Sequence, residues 1–557
     1  MTSAQPSVPS LLHPAGGPAR SGGRPAPNEA DLGLGPIVRA LDFDGRHSRF
    51  VAGVLAELCD DPAVIRDRQE LLDDLLRLPD LAAKIAGTLP QLGELANVGR
   101  VGNWGENIPL LQVATRLAEL DGYVTCVESL CSALDSAGAE LRAAGLVSLR
   151  AYLTATRAQP DYGRLAEELP QLRAQLDQAG SVTLGINLDA QLRPESATIV
   201  SVNASRFAGK NTLLDRLFGE RAAPDAVRGI SALYKADEGQ RRTPEHELFR
   251  DLNRLLERVA APVADTLARY TRVHSAGLAG LEPELAFYLG AARLSNELRA
   301  AGLPLCRAEI APAGEQLCAI SDAYSLDLAL RLRASHGAGS LAEAIVPNDV
   351  AFGPGATIFM LTGPNSGGKT TYTRAVGQAQ ILFQAGLLVP GRQARISPVD
   401  GIYTHFAAAE RLDIGAGRLA EELDRLAQVF RQAGPASLVL LNEPLSSTDH
   451  AAARALSRDI LAGLQLLGAR TIFVTHLHEL VDDALEGDTN GVVSLVAGMA
   501  SHARNGSQPT PNYVITPGRP QVAGYAAELA RQHGLSLAQI AATLRERGLG
   551  DRSTTDD

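Results

Sequence analysis

Residues 363–370 read Gly-Pro-Asn-Ser-Gly-Gly-Lys-Thr, the most informative pattern in this chain of 557 residues. The stretch satisfies G-x-x-x-x-G-K-[ST], follows the apolar run 358–361 and opens a helical segment, which is the context that this motif requires. Glycines let backbone N–H groups converge on phosphate oxygens, and the start of the following helix adds partial positive charge. The alternative, a glycine-rich turn with a chance lysine, is disfavoured by the motifs downstream. The pattern therefore predicts a nucleoside-triphosphate site in an α/β domain.

Within this loop, Lys369 is expected to reach the β- and γ-phosphates and Thr370 to ligate Mg²⁺. A similar stretch, Gly-Lys-Asn-Thr at 209–212, has Ala204 where the first glycine should stand, so we interpret it as a surface turn. The residues expected to contact ATP are Gly363, Pro364, Asn365, Ser366, Gly367, Gly368, Lys369, Thr370 and Thr371.

A second apolar run, residues 437–441, ends in the polar pair Asn442-Glu443. In P-loop ATPases the first position is usually an aspartate that holds Mg²⁺ through water, and the second is the glutamate that polarises the attacking water. We therefore predict that Asn442 serves the metal and that Glu443 is catalytic; the alternative for Glu443 is a plain carboxylate at a strand end. Asparagine can orient a water but carries no charge, so weaker Mg²⁺ retention and slow turnover are expected.

A third apolar run ends in Val474-Thr475-His476. A histidine after a strand is by itself more often structural than catalytic, but the order of the motifs favours His476 as the side chain that senses the γ-phosphate. Between these motifs, residues 446–449 (Ser-Ser-Thr-Asp) stand where ABC-type ATPases carry a short loop that links two nucleotide sites.

The remaining sequence predicts a multidomain protein, with a mostly α-helical core and lever region followed by an α/β P-loop ATPase domain of the ABC type. Asp61-Pro62 is typical of a helix start, with a capping residue followed by proline at the first helical position. The predicted segments are a disordered tail (1–35), a helical core (36–180), a β-hairpin element (181–205), a helical lever and core region (206–340) and the ATPase domain (341–557).

Composition narrows the functional classes. The net charge of −11 argues against a generally basic nucleic-acid-binding protein, so any DNA contact must come from local arginines. Arg206, Arg241 and Arg242 are candidates for phosphate contacts, although such runs are more often solvated faces. The chain has no run of eighteen apolar residues and no signal-peptide pattern, and its five cysteines form neither a CxxC pair nor a Cys/His cluster. We therefore expect a cytoplasmic protein that makes no membrane contact.

The motifs of the C-terminal half resemble the ATPase domain of the MutS family of DNA-repair proteins. The segments that carry the resemblance are 346–349 (Val-Pro-Asn-Asp), 363–371 (GPNSGGKTT), 399–404 (VDGIYT), 475–480 (THLHEL) and 524–526 (Gly-Tyr-Ala). Together they span roughly residues 345 to 540. Their order and spacing disfavour an ABC transporter subunit, as does the absence of an LSGGQ-like stretch. Residues 61–75 are similar, more weakly, to the helical core of the family.

The resemblance implies a homodimer that clamps DNA, in which each ATP is completed by a signature loop of the partner subunit. Residues 415–423 match this loop, but Gly417 stands where the family carries a serine; its backbone N–H and the charge of Arg418 are the expected substitutes. Ile345 and Val346 fall where the family packs apolar side chains on the adenine. The cofactors implied are ATP and Mg²⁺.

The match also departs from the family, because the N-terminus shows no Phe-x-Glu element and only about 35 residues precede the core. We therefore expect a shortened, divergent member without the mismatch-reading domain. Two functions remain open. One is a DNA-binding ATPase of mismatch repair or related DNA metabolism; the alternative is an ATP-switched dimeric interaction protein with slow or no hydrolysis and no mismatch specificity.

Overall fold

The structure is a computed structural model, and it describes most of the chain. The residues described are 8–14, 27–101, 109–177, 181–188, 190–191, 194–203, 205, 263–267, 270, 275–336, 341–364, 366–406, 418–486, 491–500, 510–520 and 533–547. These residues fall into two compact units, the first comprising parts of Met1–Pro9, Ala83–Leu141 and Val147–Glu282, and the second parts of Ser10–Ala82, Arg142–Leu146 and Pro283–Asp557.

The helices and strands follow the order of the chain. The helices are α1 (Glu29–Leu32), α2 (Leu34–Leu41), α3 (Ser48–Glu57), α4 (Pro62–Arg77), α5 (Pro79–Val101), α6 (Pro109–Ala137), α7 (Ala144–Arg157), α8 (Pro160–Asp177), α9 (Ala276–Ala279), α10 (Leu281–Ala300), α11 (Leu326–His336), α12 (Leu341–Ala344), α13 (Lys369–Gln384), α14 (Arg418–Gln432), α15 (His450–Leu467), α16 (His478–Glu486) and α17 (Leu537–Glu546). The strands are β1 (Ser181–Leu188), β2 (Pro194–Asn203), β3 (Leu305–Cys306), β4 (Glu309–Ile310), β5 (Cys318–Ala323), β6 (Asn348–Phe352), β7 (Ile358–Thr362), β8 (Val389–Pro390), β9 (Gln393–Ile396), β10 (Ile402–Phe406), β11 (Leu438–Asn442), β12 (Arg470–Val474), β13 (Val492–Ala500) and β14 (Thr510–Pro517).

The first unit is helical, with one β-hairpin. Helices α6 and α8 pack together, and leucines from both bury a core with Val263, Leu267 and Tyr270. Strands β1 and β2 pair antiparallel, with Ser181 opposite Asn203, and two irregularities interrupt the register. The apolar residues of these helices recur at three- and four-residue spacing, so each helix turns one stripe toward the core.

The second unit contains a six-stranded sheet in the order β10-β11-β12-β7-β13-β14. The first five strands run parallel, and β14 adds antiparallel to the edge. Every residue of β7, β11 and β12 is buried, which is typical of parallel strands covered on both faces. Helices α14, α15 and α16 contribute the apolar residues that cover one face. Helix α13 also packs against the sheet, and its Gly377 lies close to the side chain of Leu440 on β11.

A smaller mixed sheet of this unit has the order β4-β9-β5-β6. Two of its strands, β4 and β5, precede residue 341, in the segment that the sequence analysis assigned to a helical lever. That assignment is therefore wrong for residues 305–323, where short strands pair with β8 and β9 far along the chain. Strands of only two to six residues are too short to show a periodic signal, which is why the sequence did not reveal them.

The described part of residues 1–35 is not a disordered tail, which corrects a second prediction. Leu11 and Leu32 are fully buried, and Asn28 caps α1 by accepting hydrogen bonds from the amides of Ala30 and Asp31. Gln378 Nε2 donates to the carbonyl of Leu32 at 2.8 Å. Pro- and Gly-rich composition suggested disorder, but a few apolar side chains anchored by distant residues are enough to order a segment that has no core of its own.

Other predictions about local structure are confirmed. Pro62 opens α4, and the side chain of Asp61 accepts a hydrogen bond from the amide of Ala63. The predicted apolar strands at 358–361, 438–441 and 471–475 correspond to β7, β11 and β12. Within the part of the chain that the structure describes, no helix is both long enough and apolar enough to span a membrane.

Candidate functional site

The loop between β7 and α13 is shaped by glycines with unusual backbone angles. Gly363 has φ 131° and Gly368 has φ 86°, conformations that side chains with a Cβ rarely adopt. A Cβ at Gly363 would lie 2.7 Å from the Cβ of Ala497 on β13, so the loop also packs too closely for a larger residue. Gly368 precedes α13 directly, which leaves the amides of the first helical turn at the loop.

Lys369 lies beneath this loop and is almost fully buried, with 2% of its surface exposed. Its Nζ donates to the carbonyls of Gly363 at 2.9 Å and Pro364 at 3.0 Å, and it lies 3.7 Å from Oε1 of Glu443. Burial lowers the pKa of Lys369, and the nearby charge of Glu443 opposes that shift. The ammonium group is therefore held inside the loop that would surround a phosphate.

Thr370 and Asn442 come together across the sheet. Thr370 Oγ1 donates to Oδ1 of Asn442 at 3.1 Å, although 71 residues separate them in the chain. Two oxygens bound to one Mg²⁺ at right angles lie about 3.0 Å apart, given metal–oxygen distances of about 2.1 Å. The pair thus has the oxygen chemistry and the spacing to hold a magnesium ion. Asn442 would contact the ion either directly or through a water.

Glu443 and His476 form a second pair at the same edge. Nε2 of His476 lies 2.8 Å from Oε1 of Glu443. That hydrogen bond is the largest influence on the carboxylate and holds the pKa of Glu443 below its ordinary value, with Lys369 contributing in the same direction. Glu443 has a left-handed backbone, φ 55°, and its amide donates to the carbonyl of Val474 at 3.0 Å.

The sheet topology explains why these residues meet. Strands β11, β12 and β7 are adjacent and parallel, and Asn442, Val474 and Leu361 stand in one row across them. The carboxyl ends of all three strands therefore open on one edge, which is where open α/β sheets commonly bind ligands. The structure brings together the loop after β7, the polar pair after β11 and the histidine after β12, and the roles predicted for their residues stay predictions.

One contributor was missed by the sequence analysis. Glu422 on α14 is buried, and its carboxylate accepts hydrogen bonds from the amide of Leu445 at 2.7 Å and from Ser447 Oγ at 2.6 Å. Nε2 of His405 on β10 lies 3.0 Å from the same carboxylate. A signal existed, because Glu422 stands four and seven residues before the buried Leu426 and Val429 and so shares their face of the helix.

In the predicted loop 446–449, the last residue, Asp449, has a local structural role. Asp449 caps α15, because its Oδ1 accepts hydrogen bonds from the amides of Ala451 and Ala452. Ser447 is the member that joins the network around Glu422. Any link to a second nucleotide site stays a prediction.

The residues predicted to pack on the adenine lie between α12 and β6. Ile345 is buried, and the carbonyl of Val346 accepts a hydrogen bond from Nδ2 of Asn348 at 3.4 Å. A cavity of about 440 Å³ opens next to them and is lined by Pro347, Asn348 and Tyr372 among others, but by neither Ile345 nor Val346. Their contact with adenine stays a prediction.

The structure describes some of the remaining predicted residues and not others. The loop and the first turn of α13 contain Pro364, Ser366, Gly367 and Thr371, whereas Asn365 falls outside the described residues. Arg418 is the first residue of α14. Gly417, the arginines Arg206, Arg241 and Arg242, and residues 524–526 also lie outside the described residues.

Comparison with known families agrees with this geometry. The family model described as MutS domain V matches residues 359–538, which include the loop, Asn442, Glu443 and His476. The model described as the MutS2 N-terminal domain matches residues 60–301. The chain belongs to the MutS family. Both halves of this MutS-family protein, the helical front and the α/β back, therefore have a counterpart in the family.

Individual relatives give the same result. The chain is 28% identical over 477 residues to the DNA mismatch repair protein MutS of Granulibacter bethesdensis, a match that covers 80% of this chain and 48% of the relative. It is 40% identical over 136 residues to MutS of Thermosynechococcus vestitus, covering 24% of this chain and 16% of the relative. This MutS-family protein thus spans at most about half the length of these curated relatives.

Proposed function

We propose that this MutS-family protein is a DNA-binding ATPase, which as a homodimer couples the binding and hydrolysis of ATP to the clamping of DNA in mismatch repair or related DNA metabolism. The observation that carries the proposal is the convergence of Lys369, Asn442, Glu443 and His476 at one edge of a parallel sheet. The matching family model, MutS domain V, and relatives named as mismatch repair proteins support it.

In the proposed reaction, a water attacks the γ-phosphorus of ATP, the bond to the β,γ-bridging oxygen breaks, and ADP and phosphate leave. Lys369, the loop amides and the N-terminus of α13 bind the phosphate oxygens and offset their negative charge. Lys369 Nζ donates to the loop carbonyls at 2.9 and 3.0 Å, contacts that it would exchange for phosphate oxygens.

Glu443 is the proposed base for the attacking water. An ionised carboxylate can only accept hydrogen bonds, so it can orient a water and take its proton. The hydrogen bond from His476 favours the ionised form of Glu443, and His476 is also the proposed sensor of the γ-phosphate. Thr370 and Asn442 would hold Mg²⁺, whose chemistry is to neutralise charge on the β- and γ-phosphate oxygens.

The partner subunit is proposed to complete each site through Gly417 and Arg418, and Ile345 and Val346 to pack on the adenine. Binding to DNA is proposed to rest mainly on phosphate contacts, with Arg206, Arg241 and Arg242 as candidates. Contacts of that kind release counterions, so the affinity should fall steeply as salt rises. A cytoplasmic location follows from this function.

A second function is favoured by one specific residue. Asn442 carries no charge at the position where P-loop ATPases usually carry an aspartate, which should weaken Mg²⁺ retention. In this alternative, ATP binding closes a dimer around a protein partner and hydrolysis is slow or absent. Dimerisation at saturating ATP, without hydrolysis of the bound ATP, would support this alternative.

The deciding experiment measures ATP hydrolysis by the full chain with heteroduplex, branched and plain duplex DNA, beside Lys369→Ala. Stimulation by DNA that disappears in Lys369→Ala is expected. A rate of ATP hydrolysis that none of these DNAs changes, together with the absence of salt-sensitive DNA binding, would contradict the DNA-clamping function. Mismatch recognition itself requires that heteroduplex stimulate more than plain duplex at the same salt concentration.

A further inference from the structure

We propose that Glu422 is a positioning residue for ATP hydrolysis: through the turn that follows Glu443, it fixes the carboxylate of Glu443 in the site. This inference rests on the proposed function, because it assigns a role in the hydrolysis that Glu443 is proposed to assist. It adds α14 and β10 to the elements on which that hydrolysis depends.

Glu422 is linked to the turn by direct hydrogen bonds. Its Oε1 accepts from the amide of Leu445 at 2.7 Å, and its Oε2 accepts from Ser447 Oγ at 2.6 Å. His405 adds a third contact through Nε2 at 3.0 Å, and its side chain is fully buried. These bonds join one carboxylate on α14 to the residues two and four positions after Glu443.

The turn needs such support because its backbone is strained. Glu443 and Leu445 both have positive φ, 55° and 64°, although neither is a glycine. Such a conformation is unfavourable for a residue with a Cβ and persists only when its surroundings hold it. The amide of Glu443 is held by the carbonyl of Val474 at 3.0 Å. The amide of Leu445 is held by Glu422, so the second strained residue depends on this carboxylate.

The charge of Glu422 strengthens these bonds. Burial alone would raise its pKa, but the hydrogen bonds from Ser447, His405 and the amide of Leu445 outweigh burial and leave the pKa below its ordinary value. The carboxylate is therefore ionised at neutral pH, and hydrogen bonds to an ionised acceptor are about twice as strong as neutral ones.

The packing of α14 does not itself call for a carboxylate. Leu426 and Val429 occupy the same helix face and belong to the apolar core that covers the sheet. An apolar side chain at position 422 would extend this stripe without the cost of removing a charge from water. The carboxylate is thus explained by its partners, which lie on the turn after Glu443 and on β10.

The test compares steady-state ATP hydrolysis by the full chain and by Glu422→Gln, with Asp424→Asn as the matched control. Asp424 is an exposed carboxylate on the same helix and lies outside the predicted signature loop 415–423. A displacement of about 1 Å in a catalytic group costs up to roughly 100-fold in rate, so Glu422→Gln should lower kcat by about 10- to 100-fold. The KM for ATP should stay within about twofold, because the phosphate-binding loop is untouched. Asp424→Asn should change neither constant.

A second pair of variants covers the case in which Glu422→Gln fails to fold. Ser447 is exposed, so Ser447→Ala removes one bond to Glu422 without opening the core, and Ser447→Thr keeps the hydroxyl. The expected result is a lower kcat for Ser447→Ala and recovery in Ser447→Thr. Equal kcat in all three proteins, or an unchanged kcat in folded Glu422→Gln, would overturn the inference while leaving the proposed ATPase intact. No hydrolysis by the unmodified protein would overturn both.

Discussion

Oε1 of Glu443 lies 2.8 Å from Nε2 of His476 and 3.7 Å from Nζ of Lys369, so one carboxylate oxygen faces both the proposed phosphate sensor and the proposed phosphate ligand. Glu443 and His476 follow the adjacent strands β11 and β12, and Lys369 opens α13 after the loop that follows the neighbouring strand β7. The arrangement brings a carboxylate, an imidazole and an ammonium group together, which is the set of groups that the proposed hydrolysis requires.

The first prediction concerns Glu443 as the base. Glu443→Gln keeps the size of the side chain but removes its ability to take a proton, so kcat for ATP should fall by roughly 100- to 10,000-fold. Binding of ATP, measured with a fluorescent analogue, should change little. The control is Glu486→Gln, an exposed carboxylate at the end of α16. Retention of near-normal kcat in Glu443→Gln would remove Glu443 from the reaction.

The second prediction concerns the missing charge at Asn442. Asn442→Asp supplies a carboxylate within reach of Thr370 Oγ1, and a more highly charged oxygen set binds divalent cations more tightly. The Mg²⁺ concentration that gives half-maximal hydrolysis should fall roughly threefold or more. Asn442→Ala, which removes the oxygen, should shift that concentration the other way. Equal Mg²⁺ dependence in all three proteins would place the metal elsewhere.

The third prediction concerns Gly363. Gly363→Ala must adopt φ 131° and place its Cβ 2.7 Å from the Cβ of Ala497, so the loop has to move. ATP affinity should fall strongly, and the strain should lower the free energy of unfolding by about 1–3 kcal/mol. Gly45→Ala is the matched control, because Gly45 has φ 78° with no atom near its Cβ position. The control should lose stability only; loss of ATP binding in both variants would mean that global destabilisation is the cause.

The sequence could predict this site because each of its parts follows an apolar run. Parallel strands that end at one edge bring the segments after them together, so the pair Asn442-Glu443 and the loop before Lys369 had to meet once β7, β11 and β12 were recognised. For Glu422 the spacing from Leu426 and Val429 indicates only that it shares their buried face, whereas its hydrogen-bond partners on β10 and on the turn depend on tertiary structure that no local pattern contains.

The same limit explains why the prediction of a disordered tail was wrong for residues 8–14 and 27–35, the part of residues 1–35 that the structure describes. Composition describes what a segment can bury by itself, and this one has few apolar residues. Leu32 finds its partners on α13, where a Cβ at Gly377 would lie 2.6 Å from it, and Asp31 accepts a hydrogen bond from Thr404 Oγ1 at 2.6 Å. Order here comes from residues more than 340 positions away, beyond the reach of any window of sequence.

The fourth prediction concerns the buried guanidinium of Arg68, which ties the N-terminal segment to α13. Arg68 has no exposed surface; its Nε donates to the carbonyl of Leu12 at 3.0 Å, its Nη1 to the carbonyl of Gln384 at 3.4 Å, and its Nη2 to Glu57 at 2.8 Å. Arg68→Met fills a similar volume but removes the donor from the carbonyls of Leu12 and Gln384 and the cation from the partly buried carboxylate of Glu57. Breaking a buried pair in this way costs about 3–5 kcal/mol. Chemical denaturation of Arg68→Met should show this loss, whereas Arg66→Met, on an exposed turn of the same helix, should not.

The fifth prediction concerns how the pair formed by Glu57 and Arg68 makes the stability of the protein depend on pH. Burial works to raise the pKa of Glu57, but the hydrogen bond with His13 and the charge of Arg68 outweigh it and hold the pKa below its ordinary value of 4.5. A carboxyl group with a depressed folded-state pKa contributes stability above pH 4.5 and loses it as the pH falls through the lower folded value. The unmodified protein should therefore lose stability across that acidic window, and Glu57→Gln should lose less there while being less stable at pH 7. An identical pH dependence in both proteins would show that Glu57 and Arg68 do not stabilise the fold as a charged pair.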